Sequence, residues 1–289
     1  MTLRQAQGTG GEAQGAGGEV LDRAALAARS RRFGAWYVAE HRLRAGRAYA
    51  GTLLAMAFGT PLLYLLAFGV GLATLVTGNR GPEGVEGVSY LEFVAPALLV
   101  MAAVAVTGEE FMFGILLGFK WNPIFLGMNA APMTARQIID GTFLYVGIRT
   151  LLTVVVYFAV VLAFGGMSGA LVALTIPIAL LTGFAFSLIA AYSATITEDR
   201  GQFAILQRLV ILPLTLFSGT FFPLTQLPVY LQWIGWLSPI WHGSELARQV
   251  TYGPTEPPWL TLVHVGYLLV LAVLGWQLCV RIARKRLDK

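Results

Sequence analysis

Charge is scarce in this chain of 289 residues. Asp, Glu, Lys and Arg make up 12% of it, and 56% is hydrophobic. Soluble domains carry about 25% charged residues, so a water-soluble globule is excluded and a polytopic membrane protein is indicated. Cysteine is nearly absent. The single Cys279 lies in the last apolar run and rules out a disulfide framework or a cysteine-based metal site; it reads as a small buried hydrophobe. No HExxH occurs, so a zinc membrane protease lacks its ligands. No GxxxxGK[ST] occurs either, so the chain has no P-loop with which to bind ATP. The first 19 residues are rich in Gly, Gln and Ala, have no apolar period, and are expected to be disordered. They contain no apolar core of the kind a cleavable signal needs, so the first span is expected to direct its own insertion.

What is present is a set of long charge-free runs. They predict an all-α membrane protein with six transmembrane helices at about 48–79, 91–118, 138–164, 170–194, 203–222 and 257–280. The stretch from Thr150 to Thr197 has no charge but is too long for one crossing, and the turn Gly165-Gly166-Met167-Ser168-Gly169 divides it. The stretch from Leu209 to Ser244 is also charge-free and too long. It breaks at Gly219 and Pro223, so it is expected to cross once, turn, and continue as short re-entrant outer helices between spans 5 and 6. A basic tail over 1–32 precedes a transmembrane domain over 33–285, and 286–289 form a second short tail. The net charge of +5 is distributed by topology rather than as a nucleic-acid footprint. Seven arginines from Arg23 to Arg47, five basic residues from Arg281 to Lys289, and Lys120, Arg136, Arg200 and Arg208 fall on one side. Arg80 and Arg248 fall on the other. The positive-inside rule then places both termini in the cytoplasm. Trp233, Trp236, Trp241 and Trp259 would form an outer belt, with Trp36, Trp121 and Trp276 toward the inner face.

Five regions are candidates for function. Phe33 to Arg47 suits an amphipathic interface helix, either a basic anchor or a contact for a cytoplasmic partner. The inner loop from Phe119 to Gln137 is short and apolar, and something must cover it. A short helix from about Pro123 to Asn129 is expected there, ending before Pro132, with Pro123, Ile124, Phe125, Leu126 and Pro132 as the docking candidates; the alternative is a helix lying on lipid headgroups. Glu109, Glu110 and Arg149 fall within or near spans 2 and 3, where charge is costly and usually paired. They read as an ion pair bracing the two spans, or as groups that contact polar cargo or move protons. Phe217, Thr220, Phe221 and Phe222 surround the break that ends span 5, and form either an apolar gate or a packed kink. His242, Glu245 and Arg248 recur every third residue on a short outer helix and are expected to form a polar cluster. Three side chains of this kind with no further His or Cys nearby do not make a metal site.

Gly166-Met167-Ser168-Gly169 fits the GxSG pattern of rhomboid-type proteases, with His264 in the last span. A Ser–His dyad needs both groups at one depth and an oxyanion hole, and no HxxxN pattern in span 2 supplies the donors. Four-residue matches containing two glycines are common in a chain with 33 of them. No catalytic residue is therefore assigned. An ion-coupled secondary transporter would need midplane carboxylates and an internal repeat, and neither is evident.

Taken together, these features resemble the permease subunit of ABC type-2 exporters, in particular the group holding the nodulation lipooligosaccharide exporters and the daunorubicin-type drug exporters. The residues carrying the resemblance are Tyr90-Leu91-Glu92-Phe93-Val94-Ala95-Pro96, Ala131-Pro132-Met133-Thr134, Phe217 to Pro223, and Pro239, His242, Glu245 and Arg248 at intervals of three. Ala97 and Ala131 depart mildly from the usual Gly and Thr. The resemblance implies two permease subunits, homo- or heterodimeric, with spans 2 and 5 facing a central path. It also implies two copies of a separate P-loop ATPase that bind ATP and Mg. The loop around Phe125 would then be a coupling helix, 33–47 a connecting helix, and Phe221 and Phe222 upper-gate residues. The implied function is export of an amphipathic or hydrophobic compound, with a drug ahead of a lipid-linked oligosaccharide.

Overall fold

A computed structural model describes residues 32–73, 84–198, 200–253 and 256–288. The expected tail before residue 32, and the end of span 1 from 74 to 79 with Arg80, lie outside the described residues. The described chain is helical, apart from one isolated bridge between Val85 and Val88. Five helices are long and apolar enough to cross a membrane. They are α1 (Arg32–Phe68), α2 (Tyr90–Trp121), α4 (Ala135–Ala163), α5 (Val172–Thr195) and α9 (Pro258–Leu287). Among the described residues there are also the shorter helices α3 (Ile124–Ala130), α6 (Gln202–Leu216), α7 (Val229–Leu237) and α8 (Pro239–Tyr252), with a 3-10 turn at Leu224–Gln226. Where a sixth span was expected over 203–222, α6 has only 15 residues. At 1.5 Å per residue it is about 22 Å long, short of a hydrocarbon core of about 30 Å. The last helix also runs further than the apolar pattern suggested, to Leu287, because Arg284, Lys285 and Arg286 continue it as a basic final turn.

α2 is the central element. It packs against α4, α5 and α8, and Phe93, Leu99, Val100, Phe111, Ile115 and Leu116 on it are fully enclosed. Its start is fixed locally. Ser89 accepts from the Glu92 backbone N–H, and the Glu92 carboxylate accepts from the Ser89 N–H. Thr134 and Gln137 form the same reciprocal cap at the start of α4, a pairing that satisfies two otherwise orphaned donors. Small residues let the helices approach closely. Gly183 of α5 lies against Thr107 of α2, and Gly275 of α9 against Ser187. α5 breaks at Phe186–Ser187, and the Ser187 hydroxyl donates to the Ala272 carbonyl across the crossing (3.0 Å). The first part of α1 lies on α4, with Val38 and Ala39 buried and Gly141 leaving room for the Ala35 carbonyl. The rest of α1 and nearly all of α6 expose apolar side chains, among them Leu54, Leu63, Leu209 and Leu216. A lipid-facing surface leaves such residues bare.

The beginning of α1, the end of α9 and α3 gather at one end of the bundle. Asn129 donates to the Leu287 carbonyl (2.9 Å), and Arg286 caps the end of α5 through the Ala194 and Ile196 carbonyls. At the opposite end lie the start of α2, the loop after α6, and α7 and α8.

Candidate functional site

At the α3 end, Glu110 is buried and collects three partners. Arg149 of α4 binds one carboxylate oxygen, Arg42 of α1 binds the other at 3.0 Å, and the Tyr145 hydroxyl donates at 3.4 Å. Arg42 also stacks over the Tyr145 ring. Glu109 lies outside this knot, 3.4 Å from Arg149, and its side chain is 59% exposed. The structure thus unites Glu109, Glu110 and Arg149 and adds Arg42 and Tyr145, two participants that local sequence could not reveal. α2 departs from regular helix here, with π-turns over Glu110–Gly114 and Leu117–Trp121. Gly114 in the first of them leaves room for the ion pair, since a methyl group there would press on the ends of both Arg42 and Glu110 and displace them.

Below this cluster, α3 is pinned by Phe125, which is 2% exposed and meets Phe119 edge-on over Gly118. Among the loop candidates the structure therefore gives Phe125 an anchoring position. Pro123, Leu126 and Pro132 are exposed and Ile124 is half-buried. Leu126 and Trp121, each about half exposed, form the outer surface here, and the Phe125 ring does not.

Two cavities open along α2. One, of about 390 Å³, lies between α1, α2 and α3, with His41, Arg42, Tyr49, Glu109, Phe113 and Trp121 among its walls. The other, of about 340 Å³, lies between α2 and α6 beside the break in α5, where Met101, Val104, Gly108 and Met112 face Gln207, Ile211 and Thr215. Sequence reasoning had no signal for either cavity, because each is made by residues far apart in the chain.

At the other end, Arg248 of α8 is completely buried and acts as a hub. It pairs with Glu245 (2.7 Å) and donates to the carbonyls of Phe93 (3.3 Å), Gly219 (2.8 Å) and Thr220 (3.2 Å). Its guanidinium sits 3.8 Å from the centre of the Phe93 ring. The planar guanidinium has five donors, which is why one side chain can serve four acceptors. The break after α6 turns at Gly219, whose φ of 69° is left-handed. A third carbonyl in this break, that of Phe221, accepts from the Tyr90 hydroxyl (3.2 Å). Backbone freed from a helix in an apolar setting must find such partners. Phe217, Phe221 and Phe222 are half-buried and Thr220 is buried. Phe221 stacks on Phe68 of α1 at 4.7 Å.

His242 does not join Glu245 and Arg248. Its Nδ1 faces His264 Nδ1 at 2.7 Å and its Nε2 faces the Trp236 carbonyl at 2.9 Å. His264 Nε2 faces Glu256 at 3.0 Å. Burial pushes the His242 imidazole down to about 4, so it serves here as a neutral donor–acceptor. Both nitrogens of His264 are engaged, and Ser168 is exposed in its turn, so the two form no dyad. Among the described residues no group of three or more His, Cys, Asp or Glu side chains could hold a metal ion.

A family model described as "ABC-2 type transporter" matches residues 41–252. Nodulation protein J of Rhizobium leguminosarum bv. viciae is 27% identical over 229 residues, covering 78% of this chain and 85% of that protein. The protein of the same name from Neorhizobium galegae is 27% identical over 231 residues, covering 79% of this chain and 84% of that one. The inner membrane transport permease YadH of Escherichia coli (strain K12) is 28% identical over 227 residues, covering 76% and 82%. No solved structure gives a significant match. The match spans the α2 charges, α3, the break after α6 and the Arg248 hub, and the chain belongs to the ABC-2 type transporter family.

Proposed function

We propose that the chain is the membrane-spanning subunit of an ATP-dependent exporter whose cargo is an amphipathic or hydrophobic compound of drug size. Membership of the family makes it a transport subunit that is not itself catalytic and that works with an ABC ATPase. The observation that carries the cargo class is the cavity between α2 and α6. About 340 Å³ lies within the range of small-molecule sites, roughly 300–1,000 Å³. Its walls are apolar with a few polar groups, Gln207, Thr215 and Glu109. That composition suits a compact amphiphile.

In this reading the α3 end faces the cytoplasm, so both ends of the chain lie there, and the basic α1 start and α9 end obey the positive-inside rule. α6 and the loop through Pro223 together make the sixth crossing, and α7 and α8 re-enter from outside. Two ATPase subunits, with their ATP and Mg, dock beneath α3 of two permease subunits. Their closure pushes α3, and Phe125 and the Asn129–Leu287 bond transmit the push to α2 and α9. Phe221, stacked against Phe68 of α1, and Phe222 close the outer end of the path between transport cycles.

The test is to purify tagged chain from its native membranes and assay ATP hydrolysis. The expected result is a co-purifying P-loop ATPase whose turnover rises with cargo; movement of cargo by this chain alone on a proton gradient would overturn the proposal. The resemblance to the nodulation lipooligosaccharide exporters points to a second cargo class, a lipid-linked oligosaccharide. Competition between such a glycolipid and a small amphiphile for stimulation of the ATPase separates the two.

A further inference from the structure

The two cavities along α2 adjoin. Glu109 and Phe113 line both of them, and the remaining walls differ. Side by side they form a furrow along α2, from the junction of α1 and α3 to the α2–α6 contact. Both helices that wall its upper part are locally rewound, with π-turns at Glu110–Gly114 and Gln207–Ile211, a deviation frequent at functional sites. At the joint the furrow has a charge, and the exposure of the four ionised side chains there decides its sign. Arg42 and Arg149 are 16% and 18% exposed and turned onto Glu110, itself 9% exposed. Glu109 is 59% exposed and, among the described residues, is held by Arg149 at 3.4 Å. The positive charges are thus spent inside the protein, and the negative one faces the furrow. Aromatic faces surround it: Phe113 and Trp121 stack with centroids 6.1 Å apart, and Tyr49 lies on the same wall.

We propose that Glu109, with Phe113 and Trp121, is a recognition site for organic cations with an apolar body. The carboxylate would meet the cationic head while the aromatic rings and the apolar upper furrow hold the tail. An ammonium beside a carboxylate in a partly dry site, and against aromatic faces, is attracted by both. A carboxylate in a membrane segment that is not consumed by a brace has a functional role to fill. Here the brace is Glu110, and its neighbour Glu109 keeps a 3.4 Å pair with Arg149 while 59% of its side chain stays exposed. This narrows the cargo class of the exporter reading above and rests on that reading for its role in transport; binding itself does not.

The experiment uses the full chain in phosphatidylcholine nanodiscs, with empty nanodiscs subtracted. Binding of radiolabelled decyltrimethylammonium and of uncharged decanol is measured by equilibrium dialysis, in wild type, Glu109→Gln and Glu109→Asp. The expected result is that Glu109→Gln weakens ammonium binding about tenfold or more, leaves decanol binding unchanged, and that Glu109→Asp restores most of the loss. Equal ammonium binding in wild type and Glu109→Gln overturns the proposal, as does absence of ammonium binding in wild type. Should decanol binding fall in step, restoration of both by Glu109→Asp supports the site and failure to restore ammonium binding overturns it. Co-purification of an ATPase with the same variants reads the exporter assignment separately.

Discussion

Replacing Arg248 with Met keeps the apolar stem and removes the guanidinium. The structure sets the cost. Glu245 is left as an unpaired carboxylate in a buried site, and the Gly219 and Thr220 carbonyls, which have left helix geometry, lose their donor. Removing one member of a buried ion pair costs about 3–5 kcal/mol, and each orphaned buried acceptor adds about 1–3 kcal/mol. For chains of this size 1 kcal/mol shifts the melting temperature by about 2–4 °C, so Arg248→Met is expected to lower it by on the order of 10 °C. Removing the second charge as well should recover part of this. The double variant Glu245→Gln/Arg248→Met is expected to melt above Arg248→Met. Arg248→Lys should fall between wild type and Met, because a single ammonium cannot reach carbonyls on two segments and a carboxylate together. The assay is intrinsic-fluorescence melting in detergent, with protease sensitivity of the 217–228 loop as a local readout. A shift below about 2 °C for Arg248→Met, or a double variant that melts lower than the single by the sum of both losses, would refute the assigned role of the hub.

Other consequences follow from particular contacts. Leu126→Asp should abolish cargo-stimulated ATP hydrolysis while leaving the melting temperature within about 1 °C, whereas Phe125→Asp should lower both, since Phe125 is an internal anchor; matching effects in the two variants would mean that α3 is not seated by Phe125. Glu110→Ala strands Arg42 and Arg149 and is expected to cost about 3–5 kcal/mol, seen as lost melting temperature, while Glu109→Gln should cost less than about 1 kcal/mol. For His242, burial lowers the folded value to about 4 from the ordinary 6.5, so the neutral form is the one the fold prefers. Its contribution is complete above about pH 6.5 and is lost as pH falls toward 4. By pH 5 about 2 kcal/mol should be gone, and the difference in melting between wild type and His242→Asn should shrink over that interval, with His264 and Glu256 present in both. Finally, Phe221→Ala or Phe222→Ala should change export rate or cargo range; normal transport in both would leave the loop as a packed kink.

Much of the fold was legible in the chain because membrane spans announce themselves by length and apolarity. The turn at Gly165–Gly169 separated α4 from α5 as read, and the apolar inner loop signalled the short helix α3. The element that differs in length is the span expected over 203–222, where the helix covers Gln202–Leu216. Its apolar composition ran straight through Phe222, but the left-handed turn at Gly219 and the carbonyl bonds to Arg248 and Tyr90 end regular helix at Leu216. A pairing of Arg149 with one of Glu109 and Glu110 followed from the direction of the two spans; that Glu110 is the buried partner did not. The part played by Arg42 did not, since it depends on how α1 lies across α4, a tertiary fact. The spacing of His242, Glu245 and Arg248 suggested one cluster. On a helix, residues three apart drift around the axis, so His242 turns toward α9 and meets His264. Phe125 illustrates a further limit: an apolar loop residue reads the same whether it docks on a partner or on its own protein.

The measurement closest to the central claim is transport itself. The chain should be reconstituted into liposomes together with the ATPase that co-purifies with it, and movement of decyltrimethylammonium across the bilayer followed with ATP present on the α3 side. The account predicts movement that requires ATP hydrolysis and that Leu126→Asp abolishes. Movement of equal rate without the ATPase, driven by a proton gradient across liposomes holding this chain alone, would contradict it.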